Sequence, residues 1–378
     1  MRNVFVVGAG MVRFGRYQDR LVEEFASEAA KAALDDSGLG HRQIGMAVVG
    51  HSAQGRVAGQ RILKELAMTG IPIINVENAC AGGGTALHVA WMAVAAGIYE
   101  TALVIGMEKM ERGLIAGNPA EYESTLGKTL PAKYALRAKR HMREYGTTAT
   151  QLAMVSVKNH QAGALNQHAH YQKTFTLDEV LASRPVAEPL TLLQCCPTTD
   201  GAAAVVVASE AVARQRQQKL VRVAASVLAS GAYRNSKKDG ITSDDDITTR
   251  TAASAYEMAG LGPADVNVAE VHDAFTIGEV LAYENLGLCA RGEGGRLVER
   301  GDTALGGRIP VNPSGGLLSR GHPLGATGVA QIAELTWQLQ GRCGARQVEG
   351  AKVALAQVVG GSMPGIGSGA CAIHILTA

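Results

Sequence analysis

Two side chains in this sequence stand where covalent chemistry is easily done. Cys80 lies in Asn78-Ala79-Cys80-Ala81-Gly82-Gly83-Gly84, and His322 in Gly321-His322-Pro323-Leu324-Gly325-Ala326-Thr327-Gly328. A thiol at a tight turn entering a helix meets unpaired N–H groups and the positive end of the helix dipole, which stabilise thiolate and lower its pKa. The same amides could hold an oxyanion. His322, fixed between Gly321 and Pro323, is the natural base for that thiol, because imidazole titrates near neutrality. The other reading is a buried cysteine in a glycine-rich turn with a histidine packed beside it, and short motifs alone leave both open.

The two segments also resemble each other. Setting Cys80-Ala-Gly-Gly-Gly-Thr-Ala beside His322-Pro-Leu-Gly-Ala-Thr-Gly pairs Gly83 with Gly325 and Thr85 with Thr327. Each delivers one reactive side chain at a tight turn and then enters a long apolar segment. A histidine also closes the strand-like run before each: Val48-Val49-Gly50-His51 and Glu270-Val271-His272-Asp273. Two similar halves that face their reactive turns toward one shared site are the expected arrangement, with His51 as the counterpart of His272.

The elements that must position these residues alternate between strand and helix, the signature of a layered α/β protein. Val4 to Val7, Met46 to Val49, Pro72 to Val76 and Ala102 to Gly106 read as buried strands, and Leu21 to Asp36 as a helix closed by Gly38. Thr85 to Ala96 is apolar on nearly every face, so it belongs in the middle of the molecule. From about Glu108 to Leu193 the texture turns charged and loop-rich, which marks an inserted cap. Strands resume at Ala202 to Ala208, and Val221 to Leu228 is expected to close the first half. Tyr233 to Thr249 reads as a linker. The predicted division is residues 1–245, with the insertion at about 108–193, and residues 246–378.

The composition is that of an ordinary globular protein: 378 residues, 47% hydrophobic, 19% charged, formal net charge +2. Dispersed charge argues against a nucleic-acid partner, and no apolar run reaches the ~20 residues of a membrane span. No signal-peptide pattern opens the chain, so a cytoplasmic location is expected. Gly8-Ala9-Gly10 begins like a dinucleotide fingerprint but has Arg13 where the third glycine belongs, so a tight strand-to-loop turn is expected there and no NAD site is predicted. The six cysteines lack metal or disulfide spacing; Cys195 and Cys196, before Pro197, read as a structural turn. No metal site is predicted.

Four blocks in order, Asn78 to Gly84, His272-Asp273-Ala274-Phe275, Asn312-Pro313-Ser314-Gly315-Gly316 and Gly321 to Gly328, resemble the thiolase superfamily over essentially the whole chain. More narrowly, the chain is similar to sterol-carrier-protein-type thiolases and their bacterial and archaeal relatives. The resemblance implies a thiolase fold, two similar βαβαβαββ halves packed as five layers (α-β-α-β-α) with the insertion covering the CoA side. Cys80 would accept the acyl group and His322 would deprotonate it. His272 and His322 would form one oxyanion hole; the Cys80 amide and one from Gly360-Gly361 would form a second. Coenzyme A would be a substrate, with no permanently bound cofactor. A homodimer and a separate small zinc-ribbon and OB-fold partner would be the associations. Arg234, Lys237 and Lys238 are weak candidates for the CoA phosphates.

The sequence departs from that family where the second catalytic cysteine belongs. Gln357 stands at the Cys-x-Gly position near the C-terminus, and Ala274 at the Cys of His-Asp-Cys-Phe. That group moves the proton at the substrate α-carbon, and His51 is the substitute the duplication suggests. Three readings follow: a degradative thiolase acting on a β-ketoacyl-CoA, an acyltransferase or condensing enzyme that passes the acyl group to another carbon nucleophile, and an aldolase-like or non-catalytic thiolase-fold subunit.

Overall fold

A computed structural model describes residues 1–68, 70–111, 113, 122–233, 245–363 and 367–378. Its strands are β1 (Val4–Met11), β2 (Met46–Gly50), β3 (Ile73–Val76), β4 (Thr101–Glu108), β5 (Pro185–Ala187), β6 (Leu190–Thr191), β7 (Gly201–Ser209), β8 (Val221–Ser230), β9 (Val268–Glu270), β10 (Val353–Met363) and β11 (Gly367–Thr377). Nine of them form one sheet in the order β3-β2-β4-β7-β1-β8-β11-β10-β9.

That sheet is two half-sheets joined by a narrow seam. β1 meets β8 at only two positions, Phe5 with Arg222 and Val6 with Val221. On one side β3, β2 and β4 run parallel, and β7 and β1 follow antiparallel. On the other, a bridge from Val311 to Ala269 and the β9–β10 pair are parallel, and β11 and β8 follow antiparallel. The duplication glimpsed in two short motifs is therefore repeated in strand order. β8 departs from expectation: it pairs with β11 from Arg222 to Ser230 and occupies in the second half the place β1 holds in the first. A strand boundary drawn from apolar runs cannot see which neighbour completes the hydrogen bonds.

Alternation along the strands builds the layers, because successive side chains face opposite sides. Phe5, Val7, Ala47, Val49, Leu103 and Ile105 pack outward with the Val22–Ser37 and Ala58–Glu65 helices. Val4, Val6, Met46, Val48, Ala102 and Val104 face inward onto the helices Gly82–Ala95 and Thr327–Gln340, which also meet Ala354, Ala356 and Leu376 of the second half-sheet. Leu355, Ile373 and Ile375 face the other exterior, under the Asp245–Ala259 and Thr276–Asn285 helices. Five layers result, and the two central helices are enclosed on both sides, as the near-continuous apolar run from Thr85 predicts.

The insertion folds as the helices Leu130–Tyr145 and Ala149–Ala164 with a small β5–β6 hairpin. Although it leaves the chain from the first half, its apolar faces pack on the second, Tyr134 and Leu152 lying in one cluster with Phe275, Val280 and Leu317. Gly8 and Gly10 also find their reason here. β1 continues through them to Met11, and a Cβ on Gly10 would lie 2.5 Å from Ala33 N, so the glycines let the Val22–Ser37 helix press against the strand. Close packing replaces the tight turn expected at that point.

Candidate active site

The two glycine turns meet face to face at the centre of the molecule. A Cβ on Gly83 would stand 2.6 Å from Gly325 O, and one on Gly328 would collide with Gly84 N. Thr85 and Thr327 close the two turns in the same way: each backbone N–H and each hydroxyl donates to the carbonyl four residues earlier, Ala81 O and Pro323 O. This brings Cys80 and His322 together, and His272 joins them from the end of β9. Their reactive atoms, one from each side chain, all lie within 4.8 Å of one another. The His272 and His322 rings meet edge to face with centroids 5.0 Å apart. Among the described residues, this trio is also the group of donors close enough to hold a metal ion.

The tautomer of His322 follows from its partner. Thr327 Oγ1 gives its hydrogen to Pro323 O, so it accepts from His322 Nδ1, 2.7 Å away. Nε2 is then left with a lone pair, which is what a base for Cys80 requires. Burial lowers the His322 pKa well below its ordinary value, helped by His272 and Arg320, so the ring is neutral. Burial likewise takes His272 down to about 3, with the charge of Arg137 contributing.

Cys80 corrects an expectation. Burial pushes its thiol up to about 12, with Glu108 and Glu77 adding to the rise and its own backbone N–H opposing it. The helix end that follows does not produce a resting thiolate, because the enclosed site penalises charge more than the nearby amides reward it. Cys80 and His322 rest as a neutral thiol–imidazole pair, and the proton moves as the thiol attacks. Ala79, just before it, adopts φ +48, a conformation L-residues rarely take, within the turn that Ala81 N–H closes on Asn78 O.

The Asn312–Gly316 block works by holding β9 and its histidine. Asn312 Oδ1 accepts from Val271 N–H at 2.8 Å, and Ser314 donates through its N–H and Oγ to the two Glu270 oxygens. Arg320 Nη1 pairs with Glu270 at 3.0 Å, both side chains wholly enclosed. Replacing Arg320 by leucine leaves that carboxylate buried and unpaired, and a loss of about 3–5 kcal/mol in stability is expected by denaturant unfolding. Asp273 accepts from Leu317 N–H (2.7 Å) and Leu318 N–H (3.3 Å), and from Asn159 Nδ2 at 2.8 Å, which ties the insertion to the His272 loop. Glu108, at the edge of the insertion, ties the loop after His51 to the His322 turn: its carboxylate accepts from Ser52, Ala53 and Gly325 N–H groups. An isolated buried carboxylate leaves no motif, so nothing in the sequence marks it.

Gly360 lies directly against the nucleophile's turn: a Cβ there would collide with Asn78 O and stand 2.5 Å from Ala81 N. Gly361 follows at φ +67. Gln357, expected in place of a cysteine, points the other way along β10, its Oε1 accepting from His272 N–H at 3.0 Å. Val358 is the residue that faces the turn, packing with Ala81 and Ala372. Neither position carries sulfur. His51 lies with its backbone against Gly82 and Gly325, and its buried Nδ1 has no partner, but it is outside the Cys80–His272–His322 trio. His141 is held by Thr147 and Glu284. Arg234, Lys237 and Lys238 lie outside the described residues.

Cys195 and Cys196 are placed unlike a mere turn. Cys195 bridges Phe275 in antiparallel fashion, and Cys196 N–H donates to Ala274 O at 2.9 Å, so the pair runs beside the His272 loop.

His272 carries the remaining polar opportunity: its Nδ1 is buried without a partner. A neutral imidazole beside the nucleophile can donate one N–H to a thioester oxygen that gains negative charge. Loss of one such donor costs about 10²–10³-fold in turnover. His272→Ala is expected to lower kcat by that factor in steady-state assays, with a smaller change in KM, since the contact strengthens only as charge develops.

Comparison with known proteins agrees with this site. Residues 4–211 match the model for the thiolase N-terminal domain, and residues 232–367 that for the thiolase C-terminal domain-like family. The chain is 42% identical over 388 residues to an acetyl-CoA acetyltransferase of Methanothermobacter thermautotrophicus, covering 100% of both chains. It is 44% identical over 371 residues to the benzoylsuccinyl-CoA thiolase subunit BbsB of Thauera aromatica, covering 95% of each. Among solved structures, the Ltp2-ChsH2(DUF35) aldolase superposes with TM-score 0.85 at 26% identity, over 100% of this chain and 98% of that one. The chain belongs to the thiolase family, and it is an acyltransferase of the thiolase type.

Proposed function

We propose that the protein catalyses CoA-dependent cleavage of a β-ketoacyl-CoA, or the reverse condensation, through an acyl-Cys80 intermediate. The convergence of Cys80, His272 and His322 within 4.8 Å carries this reading. His322 Nε2 takes the thiol proton as Sγ attacks the β-carbonyl, the Cys80 amide and one from Gly360-Gly361 receive the oxyanion formed there, and His272 donates to the thioester oxygen as charge develops on it. The C–C bond breaks toward the thioester, the acyl group stays on Cys80, and free CoA removes it. CoA enters and leaves as a substrate. The relative named as a benzoylsuccinyl-CoA thiolase subunit and the relative named as an acetyl-CoA acetyltransferase support thioester chemistry at this site.

Association belongs to the same proposal. β3 is an edge strand of the sheet, with Ile74 41% exposed, and Met92 of the adjoining central helix is 44% exposed, a surface suited to pairing with a second copy. A small zinc-ribbon and OB-fold partner is the second association we infer; the similar structure titled Ltp2-ChsH2(DUF35) supports a hetero-oligomer. No described helix is long and apolar enough to cross a membrane, and a cytoplasmic site of action is part of this reading.

The test incubates the purified chain, with and without the product of a neighbouring gene, with β-ketoacyl-CoAs and CoA, and follows acylation of Cys80 by mass spectrometry. CoA-dependent discharge of the adduct into two acyl-CoA products is the expected result. An unmodified Cys80 under every combination overturns the proposal.

A further inference from the structure

Breaking a carbon–carbon bond toward a thioester leaves an electron pair on the α-carbon, and a nearby group must deliver a proton there. The charged and titratable groups around the trio can be sorted by what they already hold. His322 serves Cys80. Asp273 accepts from Leu317, Leu318 and Asn159, and Glu108 accepts from Ser52, Ala53, Gln54 and Gly325. Both carboxylates are locked in structural bonds. Gln357 cannot titrate and faces the His272 backbone.

His51 lies outside the trio, its backbone against Gly82 and Gly325, and among the described residues the thiol of Cys196 runs beside the His272 loop. The antiparallel bridge between Cys195 and Phe275, with the bond from Cys196 N to Ala274 O, places Cys196 directly opposite Ala274. Directly opposed residues of an antiparallel pair carry their side chains on the same face, with Cβ atoms about 4.5–5.5 Å apart. The Cys196 side chain therefore stands on the same face as the methyl of Ala274, two residues beyond His272. His272 itself is 6% exposed with an unpartnered Nδ1, a buried polar atom two residues from Ala274. Cys196 is partly accessible, and Cys80 and Asp273 are among the groups whose charge it feels.

We infer that Cys196 is the acid–base group for the substrate α-carbon, a thiol carried on the strand facing Ala274. The inference rests on the acyl-Cys80 reading and adds the proton-transfer half. In cleavage, the electron pair of the broken C–C bond passes to the α-carbon, which takes the Cys196 S–H proton and leaves as an acyl-CoA. The proton that His322 took from Cys80 then resets the Cys196 thiolate; incoming CoA gives its thiol proton to the neutral His322, its sulfur attacks acyl-Cys80, and the departing Cys80 sulfur takes that proton back as a second acyl-CoA is released. Burial, with Cys195, Asp273 and Cys80 adding to it, raises the Cys196 pKa well above the ordinary thiol value. Such a group holds its proton at rest, as a donor to a carbanion must.

The experiment separates the two half-reactions in the full chain with acetyl-CoA as probe. Acylation of Cys80 is read by mass spectrometry, and exchange of the acetyl-CoA methyl hydrogens with D2O by NMR. Cys196→Ser is expected to keep acylation within about threefold of wild type and to lose α-hydrogen exchange by about 10²-fold or more. The double variant Cys196→Ser/Ala274→Cys, which moves the thiol across the strand pair, should recover exchange at least tenfold. Exchange in Cys196→Ser within about threefold of wild type, with acylation intact, overturns the inference. So does joint loss of acylation and exchange that the double variant fails to restore, and so does a wild type that acylates without exchanging. A wild type that never acylates Cys80 instead overturns the proposed function.

Discussion

Replacing Cys80 by serine is expected to abolish acyl-enzyme formation and lower turnover by about 10⁴-fold or more, with the thermal unfolding midpoint nearly unchanged. Serine matches the thiol closely in size, so the turn that lies against Gly360 is preserved. The loss is chemical. The enclosed site already holds the Cys80 thiol up to about 12, and an alkoxide, intrinsically harder to form, is penalised at least as much. A thiol can attack while its proton passes to a neutral imidazole, whereas a hydroxyl needs a stronger base than the pair with His322 supplies. Mass spectrometry after incubation with acyl-CoA, beside thermal unfolding of both proteins, checks both parts: an acyl group on the introduced serine, or an unfolded variant, contradicts the account.

Cys80 was legible in the sequence because three glycines and a threonine follow it and a second copy of the pattern surrounds His322. Those residues fix local geometry, and local geometry writes itself as spacing. The five layers were legible for a related reason, since an apolar run such as Thr85 to Ala96 can only be central. What stayed hidden depends on contacts between distant segments. Val221 to Leu228 reads as the close of the first half because its main partner, β11, is the last strand of the chain. Glu108 and Asp273 do their work by accepting backbone N–H groups from loops that the sequence does not place together. The raised Cys80 pKa is of the same kind: a helix N-terminus is visible in a motif, but the depth at which the fold encloses it is not. Cys196 read as an ordinary turn because its meaning lies in the residue across from it.

The role of His322 yields the second large effect and gives it a distinctive pH signature. His322→Asn removes the base while leaving a side chain that can still hydrogen-bond Thr327 Oγ1, and acylation is expected to fall about 10²–10⁴-fold near neutral pH. In the wild type, burial lowers the His322 pKa well below its ordinary value and raises the thiol to about 12. Neither group changes protonation between about pH 6.5 and 9, so kcat/KM should be flat there. In the variant, attack depends on the small fraction of free thiolate, which grows tenfold per pH unit until the thiol's own pKa is approached. Log kcat/KM should then rise with a slope near one over the same range, and the two profiles should converge as pH increases. A flat profile in the variant would mean that another group takes the proton, and a wild-type inflection near pH 6.5 would mean that His322 is far more solvated than its enclosure between Thr327 and His272 allows. The test therefore reports on the neutral thiol–imidazole pair itself, the feature that distinguishes this site from a resting thiolate beside an imidazolium.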